Sequence, residues 1–272
     1  MTVESDIDTI DCAVALGCSA GGQWRSNKDI TAADVVGQLD RVGSRLAVVH
    51  HLLAQEYAPA IGNARVVEEV TNEPRLLPCW LVLPHHTGEF PAPEVLIERM
   101  RAQSVVMARL HPSADASAHR FSLADWVIGD LLDAMTVERI PVAVDFSLFR
   151  RADPPWESLH RTLLRHPDLD VILIEIQGRN NRTLYPLLDA HPRLRVQTAG
   201  LNVHLGIEDV VQRFGAERLV FGSGYPRRSM GAAAFHLATA NISDADRALI
   251  ASGNMSRMLR LTERSVARSE AG

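Results

Sequence analysis

Short apolar runs alternate with amphipathic runs along almost the whole chain. The apolar runs are Ile10–Leu16, Arg45–His50, Cys79–Leu83, Val105–Leu110, Pro141–Phe146, Val171–Ile176, Leu194–Thr198 and Leu219–Phe221. They are rich in aliphatic residues and set off by glycine, proline or polar residues, the pattern of strands buried on both faces. The segments between them read as helices. Thr31-Ala-Ala-Asp34 offers a capping hydroxyl with a carboxylate three residues on; Val35, Val36, Leu39 and Val42 then share one face, and Gly43 ends the helix. Further helices are predicted over Asn63–Val70 (with Gly62 as its boundary), Glu94–Ala102, from a cap at Ser122–Asp125 through Met135, and over Trp156–Arg165, Thr183–Ala190 and Ile207–Phe214. A C-terminal helical region carries another cap at Ser243–Asp246.

Eight strands alternating with helices imply a parallel sheet covered by helices, and closure into a single (β/α)8 TIM barrel spanning 1–272 is the natural solution. An open doubly wound sheet is the alternative, which periodicity does not separate from a barrel. In a barrel the loops that follow the strands form the functional face.

Composition narrows the function classes. The 272 residues are 46% hydrophobic and 22% charged, ordinary for a globular chain, and no apolar stretch is long enough to cross a membrane. The net charge of -5 weighs against a nucleic-acid partner, and the short RRSM and NNR patches read as solvated surface. Cys12, Cys18 and Cys79 form no CxxC pair, and the acidic start MTVESDID is no secretion signal, so reduced thiols and a cytoplasmic location are expected.

Candidate chemistry sits at the ends of the predicted strands. Arg109 and His111 are two apart on the fourth strand and should share a face; Glu175 and Gln177 do the same on the sixth. Asp145 ends the fifth strand, His50 or His51 the second, and His85 or His86 follows the third. One reading is an acid/base site with Asp145, Glu175 and His111 as catalytic groups. Arg109, Gln177, His50 and His85 would then bind the ligand, and Arg109 would grip a substrate carboxylate in a two-pronged hydrogen bond. The opposing reading is that these groups satisfy one another in a buried ion-pair network. A third is a metal site built from His50, His85 and His111.

Other features carry less. His160, His166, His191 and His236 read as surface or helix-end residues, and Trp24, Trp80, Trp126 and Trp156 as packing. The loop from Gly17 to Gly22 lacks the Gly-Lys-Ser/Thr of a phosphate-binding loop and reads as a flexible loop over the barrel mouth, with Cys18 its one plausible nucleophile.

Three segments resemble the amidohydrolase-related family, which includes metal-dependent decarboxylases of aromatic acids. Phe214-Gly-Ala-Glu-Arg-Leu-Val-Phe-Gly-Ser-Gly-Tyr-Pro226 is similar to that family's last barrel strand. Ser243–Leu259, with Gly253-Asn254, is similar to its closing helix, and Ile10–Gly17 to its opening strand; Asn63 and its helix also fit. The resemblance implies the closed barrel and a homodimer. It also implies where metal ligands would stand: a His-x-His pair on the opening strand, histidines ending the fifth and sixth strands, and an aspartate ending the eighth. This chain has Ala13, Ala15, Asp145, either Glu175 or Gln177, and Gly224 there. The expectation is therefore a degenerate site with no metal and no cofactor, in a protein that binds a small carboxylate ligand or serves as a non-catalytic subunit. The alternative is a metal-independent or unusual-metal hydrolase or lyase.

Overall fold

The computed structural model describes residues 7–19, 28–112, 119–149 and 152–261. Its strands are β1 (Thr9–Leu16), β2 (Ser44–His51), β3 (Leu76–Leu81), β4 (Met107–Leu110), β5 (Val142–Asp145), β6 (Val171–Ile174), β7 (Leu194–Gln197) and β8 (Leu219–Val220). They lie side by side in sequence order, and every pair is parallel. The residues after β8 close the ring on β1. Cys12 N–H donates to Phe221 O at 3.0 Å, Ala15 N–H to Tyr225 O at 2.9 Å, and Gly224 N–H to Ala13 O at 3.1 Å. That closure makes the fold a (β/α)8 barrel and removes the open-sheet alternative.

The strands read as unbroken apolar runs because both of their faces are covered. One set of side chains fills the barrel, among them Ile10, Cys12, Val48, Cys79, Met107, Ala143, Ile172 and Val220. The other set, including Val14, Val49, Leu81, Leu110, Val144 and Leu173, packs outward against the helices.

The helices are α1 (Ala32–Val42), α2 (Leu52–Glu56), α3 (Pro59–Val70), α4 (Pro93–Ala102), α5 (Asp125–Val137), α6 (Trp156–Arg165), α7 (Asn181–Ala190), α8 (Gly206–Phe214), α9 (Met230–Thr239), α10 (Asp244–Ala248) and α11 (Asn254–Leu259). Met255, Met258 and Leu259 of α11 pack into the inner layer beside Ile10 and Met107, closing the end at which the strands begin. Asn254 anchors this plug by donating to Ala216 O at 2.9 Å and Leu219 O at 2.7 Å. Asn63 splices onto the end of β3 by giving a hydrogen bond to Leu81 O at 2.7 Å and taking one from Leu81 N–H at 2.9 Å.

The Thr31–Asp34 capping box and the left-handed Gly43 bound α1 as expected, and Ser243 caps α10. Two predicted boundaries are corrected. Gly62 lies inside α3, which starts at Pro59, because α2 passes so close that a Cβ there would meet Ala54 N at 2.1 Å. Ser122 does not cap α5; its hydroxyl accepts from Ala124 N–H at 3.1 Å, and the helix begins at Asp125.

Candidate active site

Four side chains meet where β2, β4 and β5 end. Arg109 on β4 pairs with Ala143 on β5, so Asp145 lies two positions further along the adjacent strand. The Arg109 guanidinium donates from Nε to Asp145 Oδ2 at 3.0 Å and from Nη2 to the same oxygen. Its Nη1 lies 3.1 Å from His50 Nδ1. His50 Nδ1 also faces Val14 O at 2.9 Å, and its Nε2 faces Gln55 Oε1 at 3.1 Å, so both ring nitrogens are engaged. Asp145 Oδ1 takes the N–H of Ser147 at 2.6 Å. His111, just past β4, brings Nε2 to 3.6 Å from Asp145 Oδ2, and neither of its ring nitrogens has a hydrogen-bond partner among the described residues.

All four side chains are buried, which sets their charges. Burial pushes the Asp145 carboxyl upward, but Arg109, His111 and Arg227 outweigh that and hold it below the ordinary carboxylate range. Burial, reinforced by Arg109, pushes His50 well down. Burial also lowers His111 to about 4, against the pull of Asp145. At neutral pH the cluster is therefore an ionised carboxylate, a guanidinium and two neutral imidazoles. Neither Asp145 nor His111 is poised near pH 7, where proton transfer works best. The arrangement is better suited to holding a charged group than to moving protons.

A second cluster surrounds Glu175, just past β6. Its Oε2 lies 2.7 Å from Arg227 Nη2 and 2.8 Å from Arg228 Nη2, and its N–H donates to Gln197 Oε1 at 3.0 Å. Arg228 also donates to Ala199 O. Glu175 has φ of 62°, a left-handed conformation that costs a side-chain-bearing residue roughly 1–3 kcal/mol. These contacts hold it there. Across the barrel, Asp11 Oδ1 accepts from Ala13 N–H and Ser223 N–H, each at 3.0 Å, fastening β1 to the loop after β8. Burial raises its pKa to about 6.

The structure brings Arg109, Asp145, His50 and His111 together and sets Glu175 beside them on the same rim. It does not bring Gln177 or His85 to this group. β6 ends at Ile174 and Glu175 turns left-handed, so Glu175 and Gln177 do not share a strand face; Gln177 donates to Phe149 O at 3.3 Å. His85 pairs with Asp130 of α5 at 3.2 Å, and His86 bonds Val127 O at 3.1 Å, so both turn to the outer helix. His85 therefore cannot join His50 and His111 in one metal site. His51 faces away from the barrel axis and caps α2, accepting from Leu53 N–H at 3.0 Å.

Arg227 and Arg228 are the functional-face residues that sequence reasoning passed over. They belong to the RRSM patch that reads as solvated surface, yet both pair with a buried carboxylate. The available signal was their position directly after the Gly-Ser-Gly-Tyr-Pro turn, on the rim where strand-end loops gather. Two helix-end histidines are also buried rather than solvated. His166 bridges Asp125 and Asp133 at 2.8 and 3.0 Å, and His191 bonds His160 at 2.9 Å. Trp126, expected to pack, is exposed. Most of the loop between Gly17 and Gly22, with Trp24, lies outside the described residues.

The family model described as amidohydrolase matches residues 60–261. This chain belongs to the amidohydrolase family. The match takes in β3 through α11, while Ala13, Ala15 and His50 precede it. No curated protein matches this chain in sequence. Solved structures similar to it include 5-carboxyvanillate decarboxylase from Sphingomonas paucimobilis, at 12% identity, with 94% of this chain and 99% of that chain covered and a TM-score of 0.71. A second is 2,6-dihydroxybenzoate decarboxylase from Rhizobium, at 15% identity, 94% and 99% coverage and a TM-score of 0.70. A third is 5-carboxyvanillate decarboxylase from Novosphingobium aromaticivorans, complexed with manganese and a nitrobenzoic acid, at 11% identity, 94% and 97% coverage and a TM-score of 0.73. At these identities the likeness is one of fold.

A divalent ion fits the barrel mouth of this chain poorly. Ala13 and Ala15 have no donor atoms. Of the nitrogen and oxygen atoms in the mouth, Asp145 Oδ2 is taken by the Arg109 guanidinium, and His50 Nδ1 lies against both that guanidinium and the Val14 carbonyl. A metal ion beside that guanidinium would meet repulsion of roughly 4 kcal/mol per pair of unit charges about 4 Å apart, at an effective dielectric of about 20. Gly224 stands where the resemblance implies an aspartate. A Cβ there would lie 2.6 Å from Glu175 Oε1, and its φ is 72°.

Proposed function

We propose that this amidohydrolase-family barrel binds a small carboxylate-bearing molecule at its mouth, on a site whose metal ligands have been replaced, and serves as a binding or non-catalytic member of the family. The observation that carries this reading is the placement of one guanidinium against both His50 and Asp145. Arg109 keeps N–H donors beyond its bonds to Asp145, and Arg227 lies close enough to Asp145 to act on its charge. A carboxylate entering there would meet fixed positive charge without a metal. The similar structures named above are decarboxylases of carboxylated aromatics, or hold a nitrobenzoic acid, which makes aromatic carboxylates the first compounds to try.

The test is calorimetric titration of the chelator-treated protein with 2,6-dihydroxybenzoate and 5-carboxyvanillate, alongside an assay for released carbon dioxide. Saturable binding without carbon dioxide release is the expected result. No heat from either acid, nor from simpler benzoates, would remove the reading.

The second reading is a metal-independent lyase or hydrolase. One observation favours it: His111 is buried 3.6 Å from an ionised carboxylate, with both ring nitrogens unpartnered among the described residues. Carbon dioxide release that survives chelation and is lost in His111→Gln would move this reading ahead.

A further inference from the structure

We propose that His85, His86 and Asp130 form a surface site for a divalent transition-metal ion, which clamps the loop after β3 onto α5. The site lies outside the barrel mouth and does not depend on the carboxylate-binding reading.

The loop presents both histidines together. After Pro84 the chain makes one 3-10 turn, His85–Thr87, and Gly88 closes it with φ of 77° and its N–H on His85 O at 2.9 Å. The two imidazole rings stand side by side, with centroids 4.3 Å apart. Both lean on α5: His85 Nδ1 lies 3.2 Å from Asp130 Oδ2, and His86 Nε2 lies 3.1 Å from Val127 O. Val127 and Asp130 are three apart on that helix and so are neighbours on its surface.

One ligand atom from each of His85, His86 and Asp130 lies within 4.8 Å of the other two, and no other such trio comes this close among the described residues. Two ligands of a tetrahedral zinc ion, each about 2.0–2.1 Å from the metal, stand about 3.3 Å apart. The 3.2 Å between His85 Nδ1 and Asp130 Oδ2 already meets that spacing. His86 is exposed, so its ring can swing to bring in the third ligand. The Val127 carbonyl can only accept, so it takes the proton on His86 Nε2 and leaves the Nδ1 lone pair for the ion. A backbone carbonyl in that place is the usual outer-shell partner of a metal-binding imidazole.

Without an ion, a proton on His85 Nδ1 bridges the gap to Asp130. The ion replaces that proton, which goes to solvent. Imidazole nitrogens select zinc, nickel or copper over calcium and magnesium, which take oxygen ligands. Water fills the remaining positions.

The test is calorimetric titration of untagged, chelator-stripped, full-length protein with zinc, together with absorption of its cobalt(II) complex. One ion per chain is expected. The cobalt bands should be those of nitrogen and oxygen ligands, without the sulfur charge-transfer band that the exposed Cys18 thiol would give. His85→Ala, His86→Ala and Asp130→Asn should each weaken zinc binding by about tenfold or more, the least that loss of an outer-shell partner alone brings. Zinc should raise the melting temperature of the wild type and leave that of each variant unchanged. Circular dichroism shows which variants are folded; should one unfold, the other two carry the comparison.

Three results would overturn the proposal. One is a wild-type protein with no saturable uptake of zinc or cobalt. Another is uptake undiminished in the folded variants. The last is a cobalt spectrum dominated by sulfur, which would place the ion at Cys18. Carboxylate titration under chelation reads the barrel mouth without any ion, so a failure here is distinguishable from failure of the proposed function.

Discussion

Glu175 fills the space that a side chain at position 224 would need. A Cβ built on Gly224 falls 2.6 Å from Glu175 Oε1, and the backbone there is left-handed at φ of 72°. The loop after β8 packs closely on Glu175, with Arg227 and Arg228 paired to its carboxylate. An aspartate placed at 224 should not create a metal site. Gly224→Asp is expected to cost about 1–2 kcal/mol from the left-handed conformation alone, plus the clash. Glu175→Ala in the same chain should recover part of that loss. Denaturant melts of the two single variants and the double variant measure both effects; a Gly224→Asp protein as stable as wild type would contradict the packing described.

The Arg109–Asp145 pair should behave as a buried ion pair. Removing one partner leaves the other charge unpaired, a loss of about 3–5 kcal/mol. Arg109→Met and Asp145→Leu should each destabilise to about that extent. The double variant should cost much less than the sum of the two, since no orphaned charge remains. A double-mutant cycle by urea denaturation checks this, and simple additivity would show that the pair is not coupled.

Stability between pH 4 and 6.5 should depend on buried histidines and a buried carboxyl acting in opposite directions. His111 titrates at about 4 in the fold against an ordinary 6.5, so across that window the unfolded chain binds the proton and the fold does not. Its contribution is lost as the pH falls. His50, also lowered, adds to the same trend. Asp11 titrates at about 6 against an ordinary 3.8, so the fold keeps a proton that the unfolded chain releases, and its contribution is lost as the pH rises. His111 and Asp11 each account for roughly 3 kcal/mol at most. Asp11→Asn should therefore steepen the loss of stability on acidification, and His111→Leu should flatten it. Melting temperatures at half-unit pH steps distinguish the two slopes.

His111 separates binding from folding. Its ring nitrogens make no hydrogen bond among the described residues, so His111→Leu removes a desolvated polar group without orphaning a partner. Stability should be unchanged or higher by about 1 kcal/mol. Affinity for an aromatic carboxylate should fall by roughly tenfold, the value of one hydrogen bond of about 1.4 kcal/mol. Calorimetry on a variant shown to be folded makes the comparison, and equal affinity would place the ligand away from His111.

The strand pattern was legible because each buried strand needs a continuous apolar run, and all eight are present. Ends were less legible. The third strand runs Leu76–Leu81 rather than Cys79–Leu83, since its start is defined by pairing with β2 and not by its own composition. Arg109 and His111 were correctly read as sharing a face, because β4 alternates regularly up to that point. Glu175 and Gln177 were not, because a left-handed residue breaks the alternation on which the reading depends. Arg227 and Arg228 were invisible as site residues, since an arginine pair in a loop has the same local signature whether or not a buried carboxylate lies across the barrel.

The sequence by itself determined the number and order of the strands, the caps of α1 and α10, and the alanines on the opening strand. These are properties of short segments, where hydrophobic periodicity and hydrogen-bonding side chains act within a few residues. Only the tertiary structure decided which charges meet. Arg109 and Asp145 are 36 residues apart, and Glu175 and Arg228 are 53 apart. Barrel closure brings such pairs within hydrogen-bond distance. Burial then fixes their charge states, because the cost of removing an ion from water has to be met by whatever partner the fold places beside it.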